Sequence, residues 1–107
     1  MRPKGRPIKY RIVSNNPKIS QFSPRGRAGR PDEIELKMDQ FEAIRLADSE
    51  GIDQKKAAKR MRISQQTFSR ILQQARKAVS DALVNGKIIR IQGGYYVVST
   101  LQNEQIK

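Results

Sequence analysis

The sequence predicts an α+β fold: a three-helix helix-turn-helix unit with a long third helix, a C-terminal β-hairpin and short N-terminal strands. Three observations carry this. Residues 54–72, QKKAAKRMRISQQTFSRIL, read as two helices joined by a short turn. The apolar stripe of the second helix runs on past Leu72, and no breaker appears before Asn85-Gly86. Residues 87–100, KIIRIQGGYYVVST, read as two strands around Gly93-Gly94.

Residues 1–31 contain all five prolines of the chain. Such composition resists a regular fold on its own. Short apolar pieces at 10–13 and 19–22 suggest strands separated by the turn signal Asn15-Asn16-Pro17. Next, Ile34, Leu36 and Met38 alternate with charged residues, the pattern of a half-buried strand. Asp39 is expected to start a helix, with Glu42 three residues on to complete a capping box. Phe41, Ile44 and Leu46, with Ala43 and Ala47, form its apolar side; it ends near Asp48, and Gly51 breaks it.

Asp53 is placed to cap the helix at residues 54–61, and Arg62 and Ile63 make the turn. The turn favours Gly, which tolerates a left-handed backbone, so Arg62 is a departure. Ser64 caps the next helix, where its hydroxyl can accept from a free N–H of the first turn. Ala58, Met61, Ile63, Phe68 and Ile71 fall where a two-helix corner needs apolar contacts. Phe68, Ile71, Leu72 and Ala75 repeat at three- and four-residue steps. Residues 65–84 would make a helix of about 30 Å, longer than one groove contact needs.

In the C-terminal hairpin, the Gly-Gly turn sets Ile91 opposite Tyr96 and Ile89 opposite Val98. Three readings of this hairpin are open. It joins the strand at Ile34–Leu36 and closes the core, it is a wing that touches DNA through Lys87 and Arg90, or it is a dimer surface. The domain boundaries are then 1–31 for a basic arm, 32–100 for the helix-turn-helix domain and 101–107 for a tail.

Charge separates the chain into blocks. Residues 1–31 hold nine Lys/Arg and no acid, residues 32–53 hold eight acids against Lys37 and Arg45, and residues 54–107 hold eleven Lys/Arg against Asp81 and Glu104, for a net charge of +12. Two basic blocks therefore flank an acidic one. Such a chain attracts polyanions by releasing their counterions, so double-stranded DNA is the expected partner. The absence of Cys and His removes thiolate sites, the commonest metal ligand and the commonest general base. No nucleophile–base pair or Gly-rich phosphate loop is visible, so no enzyme activity, cofactor, metal or small-molecule ligand is expected. No apolar run approaches a membrane span and no signal peptide is evident, which makes the cytoplasm the expected location.

The exposed face of the third helix carries the base-reading candidates Gln65, Gln66, Ser69 and Arg70, followed by Gln73 and Gln74. Gln suits adenine and Arg suits guanine in a major groove. Lys55, Lys56, Lys59, Arg60, Arg62, Ser64, Thr67, Arg76 and Lys77 are candidates for phosphate contacts, which position a protein without specifying sequence. Arg2, Lys4 and Arg6 are candidates for a minor-groove arm, because Lys4-Gly5-Arg6-Pro7 resembles an AT-hook core. The plain alternatives are a helical hairpin with a solvated face, and a basic tail that adds only non-specific attraction.

MDQFEAIRLAD at 38–48, AAKRMRIS at 57–64, TFSRILQQARKAVSDAL at 67–83 and GKIIRIQGG at 86–94 resemble uncharacterised protein family 0251, or domain of unknown function 134. Gln40 stands where that family's pattern leads to an acidic residue. The resemblance implies a helix-turn-helix like that of sigma factor region 4 and DNA binding, with transcription regulation as the role. Many such regulators are dimers reading paired half-sites, so a homodimer through the late third helix or the hairpin is expected. The rival reading is an RNA-binding or nucleoprotein-assembly protein using the same basic surfaces. It has few aromatics to stack bases, with Tyr95 and Tyr96 as the exceptions.

Overall fold

Helix α3 (Gln65–Asn85) is the longest element of the computed structural model, which describes residues 10–26 and 29–99. Before it come strands β1 (Arg11–Val13), β2 (Gln21–Phe22) and β3 (Glu33–Leu36), helix α1 (Met38–Ile44) with a π-helical turn (Arg45–Ser49), and helix α2 (Gln54–Met61). After it come β4 (Ile88–Ile91) and β5 (Tyr96–Val98). The α+β class, the three helices with a long third, the N-terminal strands and the two C-terminal strands all form as expected.

The helix ends follow local chemistry. The Asp53 carboxylate accepts from Lys56 N–H at 2.9 Å and caps α2. Ser64 Oγ accepts from Thr67 N–H at 3.0 Å and caps α3. At the end of α2, Arg62 lies in the left-handed region (φ 59°, ψ 45°), while its N–H donates to Lys59 O and that of Ile63 donates to Ala58 O, both at 3.0 Å. That pair of bonds is the Schellman ending, usually reserved for Gly. A side chain at this φ costs about 1–2 kcal/mol, and glycine's greater freedom when unfolded returns part of that. Arg62→Gly should therefore stabilise the fold by about 0.5–1 kcal/mol, read from the urea midpoint at unchanged m.

The start of α1 differs from expectation. The helix begins at Met38, with Lys37 as its cap residue, and Gln40 Oε1 accepts from Lys37 N–H at 2.9 Å. Gln40, not Glu42, is thus the reciprocal partner, and its amide does the work assigned to an acid. Glu42 is instead buried.

The C-terminal strands also differ from expectation in their partners. β4 does not pair with β5. It is the centre of a three-stranded sheet ordered β2-β4-β3, parallel to β3 (Ile34↔Ile89, Leu36↔Ile91) and antiparallel to β2 (Phe22↔Ile89). β5 pairs in parallel with β1 instead (Arg11↔Tyr96, Val13↔Val98). Gly93 and Gly94 do adopt positive φ (83° and 91°), but they turn the chain onto the start of α1, where Gly93 O accepts from Met38 N–H at 3.0 Å. A Cβ on Gly94 would lie 3.2 Å from Lys37 Cβ and 3.3 Å from Asp39 Oδ1. The physical reason for the change is that Ile89 and Ile91 pack into the core shared with Leu36 and Ala75, which seats β4 between β2 and β3 and not in an isolated hairpin. The reading in which β4 joins the strand at Ile34–Leu36 holds.

Every strand pairing among the described residues joins a segment before the helices to one after them. The helices and the strands share a divided core. One cluster unites Ala43, Leu46, Ala57, Ala58, Met61, Phe68, Ile71 and Leu72 at the α1–α2–α3 corner. The other packs Val13, Leu36, Met38, Ala75 and Ile91 between the strands and the middle of α3.

Candidate nucleic-acid interface

Burial of one side of α3 decides what the other side presents. Phe68, Ile71, Leu72 and Ala75 are buried in the core. At 3.6 residues per turn the opposite face carries Gln65, Gln66, Ser69, Arg70, Gln73 and Gln74, and all six are exposed. No hydrogen bond to another described residue holds any of these side chains. Free amides and a free guanidinium on one face can match donor and acceptor patterns on another molecule.

The phosphate candidates divide. Lys55, Lys56, Lys59 and Arg62 are exposed on α2 and its turn, and Lys77 is exposed on α3. Arg60 is half-buried and engaged within the fold. Ser64 and Thr67 are committed to the cap, with Ser64 Oγ donating to Thr67 Oγ1 at 2.9 Å. Arg76 makes a two-point ion pair with Asp48, Nε–Oδ2 3.1 Å and Nη2–Oδ1 2.7 Å. The Arg76 hydrogen bonds and charge hold the Asp48 carboxyl below its ordinary pKa, and the same bonds raise that of Arg76. Its charge is therefore already balanced. The wing residues are balanced too. Lys87 pairs with Asp81 at 2.8 Å, and Arg90 pairs with Glu33 at 2.9 Å while donating to Gln21. The arm candidates Arg2, Lys4 and Arg6 lie outside the described residues, as does the tail at 101–107.

A cleft of about 540 Å³ runs along one flank of α3. Thr67, Arg70, Ile71 and Gln74 form its helix wall, Lys37, Asp39 and Gln40 come from the start of α1, Arg11 opens β1, and Gly94 and Tyr95 close the rim. Arg11 Nε lies 3.7 Å from Asp39 Oδ2. Tyr10, where the described chain begins, faces Tyr95 with ring centroids 6.1 Å apart. Sequence reasoning did not find Arg11 or Lys37, because three elements distant along the chain must meet to form this wall.

Behind the cleft, α1 is locked by a buried acid. Glu42 is 1 % exposed. Its Oε2 accepts from the Ser14 N–H (3.2 Å) and Oγ (3.1 Å) and from Arg45 Nη2 (3.0 Å), while Oε1 accepts from Arg45 Nε (2.9 Å). Arg45 also reaches Glu50 at 2.6 Å across the π-helical turn, where Glu50 N–H donates to Arg45 O. These hydrogen bonds and charges raise the Arg45 pKa, led by the bond to Glu42. The network ties the end of β1 to α1 and so fixes the cleft wall. No group of acids able to hold a metal, and no helix long and apolar enough to cross a membrane, occurs among the described residues.

A capped three-helix unit clasped by strands from both sides, with an exposed polar helix face beside a basic cleft, defines a small basic α+β domain. The chain belongs to the family described as protein of unknown function DUF134, whose model matches residues 1–99. It is 54 % identical over 92 residues to a UPF0251 protein of Caldicellulosiruptor bescii, covering 86 % of this chain and 64 % of that protein. It is 47 % identical over 94 residues to a UPF0251 protein of Thermoanaerobacter pseudethanolicus, covering 87 % of this chain and 80 % of the relative. A UPF0251 protein of Chlorobaculum tepidum is 46 % identical over 101 residues, 94 % of this chain and 66 % of its own length. The chain thus spans just under two thirds of the length of the Caldicellulosiruptor relative. No solved structure matches it.

Proposed function

We propose that this protein binds double-stranded DNA in a sequence-specific manner through α2 and α3, as a small transcriptional regulator. The observation that carries this reading is the open face of α3. Gln65, Gln66, Ser69 and Arg70 stand exposed on its first turns, where a recognition helix meets base edges. Lys55, Lys56, Lys59 and Arg62 supply the phosphate grip, with Lys77 further along α3. Arg76 contributes little while Asp48 holds it.

A homodimer belongs to the same proposal. Leu83 and Val84 are 78 % and 80 % exposed at the end of α3, near half-exposed Phe22. Asp81 and Lys87 neutralise each other there, so two copies of a strongly basic chain can approach at this end. Selection of bound fragments from random duplex DNA tests the whole reading. A shared motif is expected, as two half-sites about one helical turn apart. Bound fragments without any shared motif would reject sequence-specific recognition.

The basic arm precedes Tyr10 in the sequence. Deleting residues 1–8 should weaken DNA binding and flatten the dependence of log K on log salt by about 0.9 for each phosphate that the arm neutralises. An unchanged slope would exclude the arm from the DNA. One observation favours the RNA alternative: Tyr10 and Tyr95 are exposed and are available for base stacking. A competition between duplex DNA and folded RNA separates the two classes.

A further inference from the structure

We propose that the cleft beside α3 is a second backbone clamp, which takes the sugar–phosphate strand bordering the groove that α3 enters. Arg11 and Lys37 are its phosphate contacts. The inference rests on the DNA-binding reading above and adds a site to it.

Charge and continuity argue for this occupant. Three cations, Arg11, Lys37 and Arg70, line the cleft against one carboxylate, Asp39. Asp39 is buried and sits 3.7 Å from Arg11 Nε, outside hydrogen-bonding distance, so it draws the guanidinium from behind without the two-point bond that occupies Arg76. The cleft shares its wall with the open face of α3, because Arg70 and Gln74 belong to both. A helix with its side chains is about 10–12 Å across and a major groove is about 12 Å wide, so a strand passes directly along the flank of any helix seated there. The Gly93-Gly94 turn makes room for it. Side chains at these positions would crowd Glu35, Lys37 and Asp39, whereas glycine keeps the rim thin.

The clamp is distinct from general attraction by a +12 chain. Two kinds of variant of the full chain separate the two. Lys37→Gln removes an exposed cleft cation, and Lys18→Gln removes an exposed cation from a separate depression beside Pro17 and Phe41. The double variant Arg11→Gln with Asp39→Asn empties the cleft pair without changing net charge and without stranding a buried carboxylate. Binding to a 30-base-pair duplex is measured across a salt series, with thermal melts to establish folding.

Lys37→Gln and the double variant should each weaken binding about three- to tenfold near 0.15 M salt and lower the salt slope by about 0.9. Lys18→Gln should leave the slope unchanged. Should the double variant fail to fold, the exposed Lys37 substitution decides alone. If wild type binds the duplex and Lys37→Gln matches Lys18→Gln, the clamp is wrong and the α3 reading survives. If wild type does not bind the duplex, the DNA-binding reading falls, and the clamp falls with it.

Discussion

Glu42→Ala is expected to destabilise the fold by about 3 kcal/mol, more than any surface change in this chain. The carboxylate is fully buried and collects four hydrogen bonds, two from Ser14 and two from Arg45. Removing one partner of a buried charged pair leaves the other uncompensated, which costs about 3–5 kcal/mol. The lower end applies because Arg45 is partly exposed and keeps Glu50 at 2.6 Å. Ser14 has no such reserve; its N–H and hydroxyl would lose their acceptor. The check is urea denaturation, where the midpoint should fall with little change in m. Glu42→Gln should cost less, since the amide oxygen still accepts from Ser14. A loss below about 1 kcal/mol for Glu42→Ala would show that water replaces the carboxylate and that the β1–α1 tie is weak.

Arg70→Ala is expected to cost about 1–3 kcal/mol against the preferred DNA site and to relax base preference at one or two positions. The side chain is exposed, is held by no described residue and sits where the α3 face meets the cleft. Only the sequence with guanine at the right step would miss its bidentate guanidinium partner. Weakening of all sequences alike, with a lower salt slope, would instead make Arg70 a phosphate contact. Measuring the variant against both the preferred site and a scrambled duplex distinguishes these outcomes. Folding should be unaffected, because Arg70 contributes nothing to either buried cluster.

The features legible in the sequence are those written locally. Asp53 and Ser64 cap the helices they precede, Gly86 ends α3 at positive φ, and the buried side of α3 is the stripe Phe68, Ile71, Leu72 and Ala75. Each is set within a turn or two of the chain. The α1 cap lies two residues earlier than expected, at Lys37 and Gln40 and not at Asp39 and Glu42, because the same three-residue spacing recurs there and an amide oxygen accepts as a carboxylate does.

The pairing of β4 with the strand at Ile34–Leu36 was legible, but the partners of β1, β2 and β5 were not, because alternation of apolar residues states that a strand has a buried side but not which strand lies next to it. Gly93-Gly94 has the dihedral freedom of a tight turn, and only the competing claim of β3 on Ile89 and Ile91 redirects it. The pairing of Arg76 with Asp48 and the burial of Glu42 against Ser14 likewise depend on contacts between distant segments. Glu42 did leave a trace: it lies four residues after Met38, on the same inward side of α1, with Arg45 three residues on.

The parallel pairing of Arg11–Val13 with Tyr96–Val98 sets an order of assembly. The α2–α3 corner closes over a short loop, whereas joining the first described strand to the last requires nearly the whole chain to be present, at a high loop-closure entropy. During synthesis the helical corner can therefore mature on a nascent chain while the Arg11–Val13 backbone waits unpaired for its C-terminal partner. Completion of the rim that carries Tyr95 then comes last.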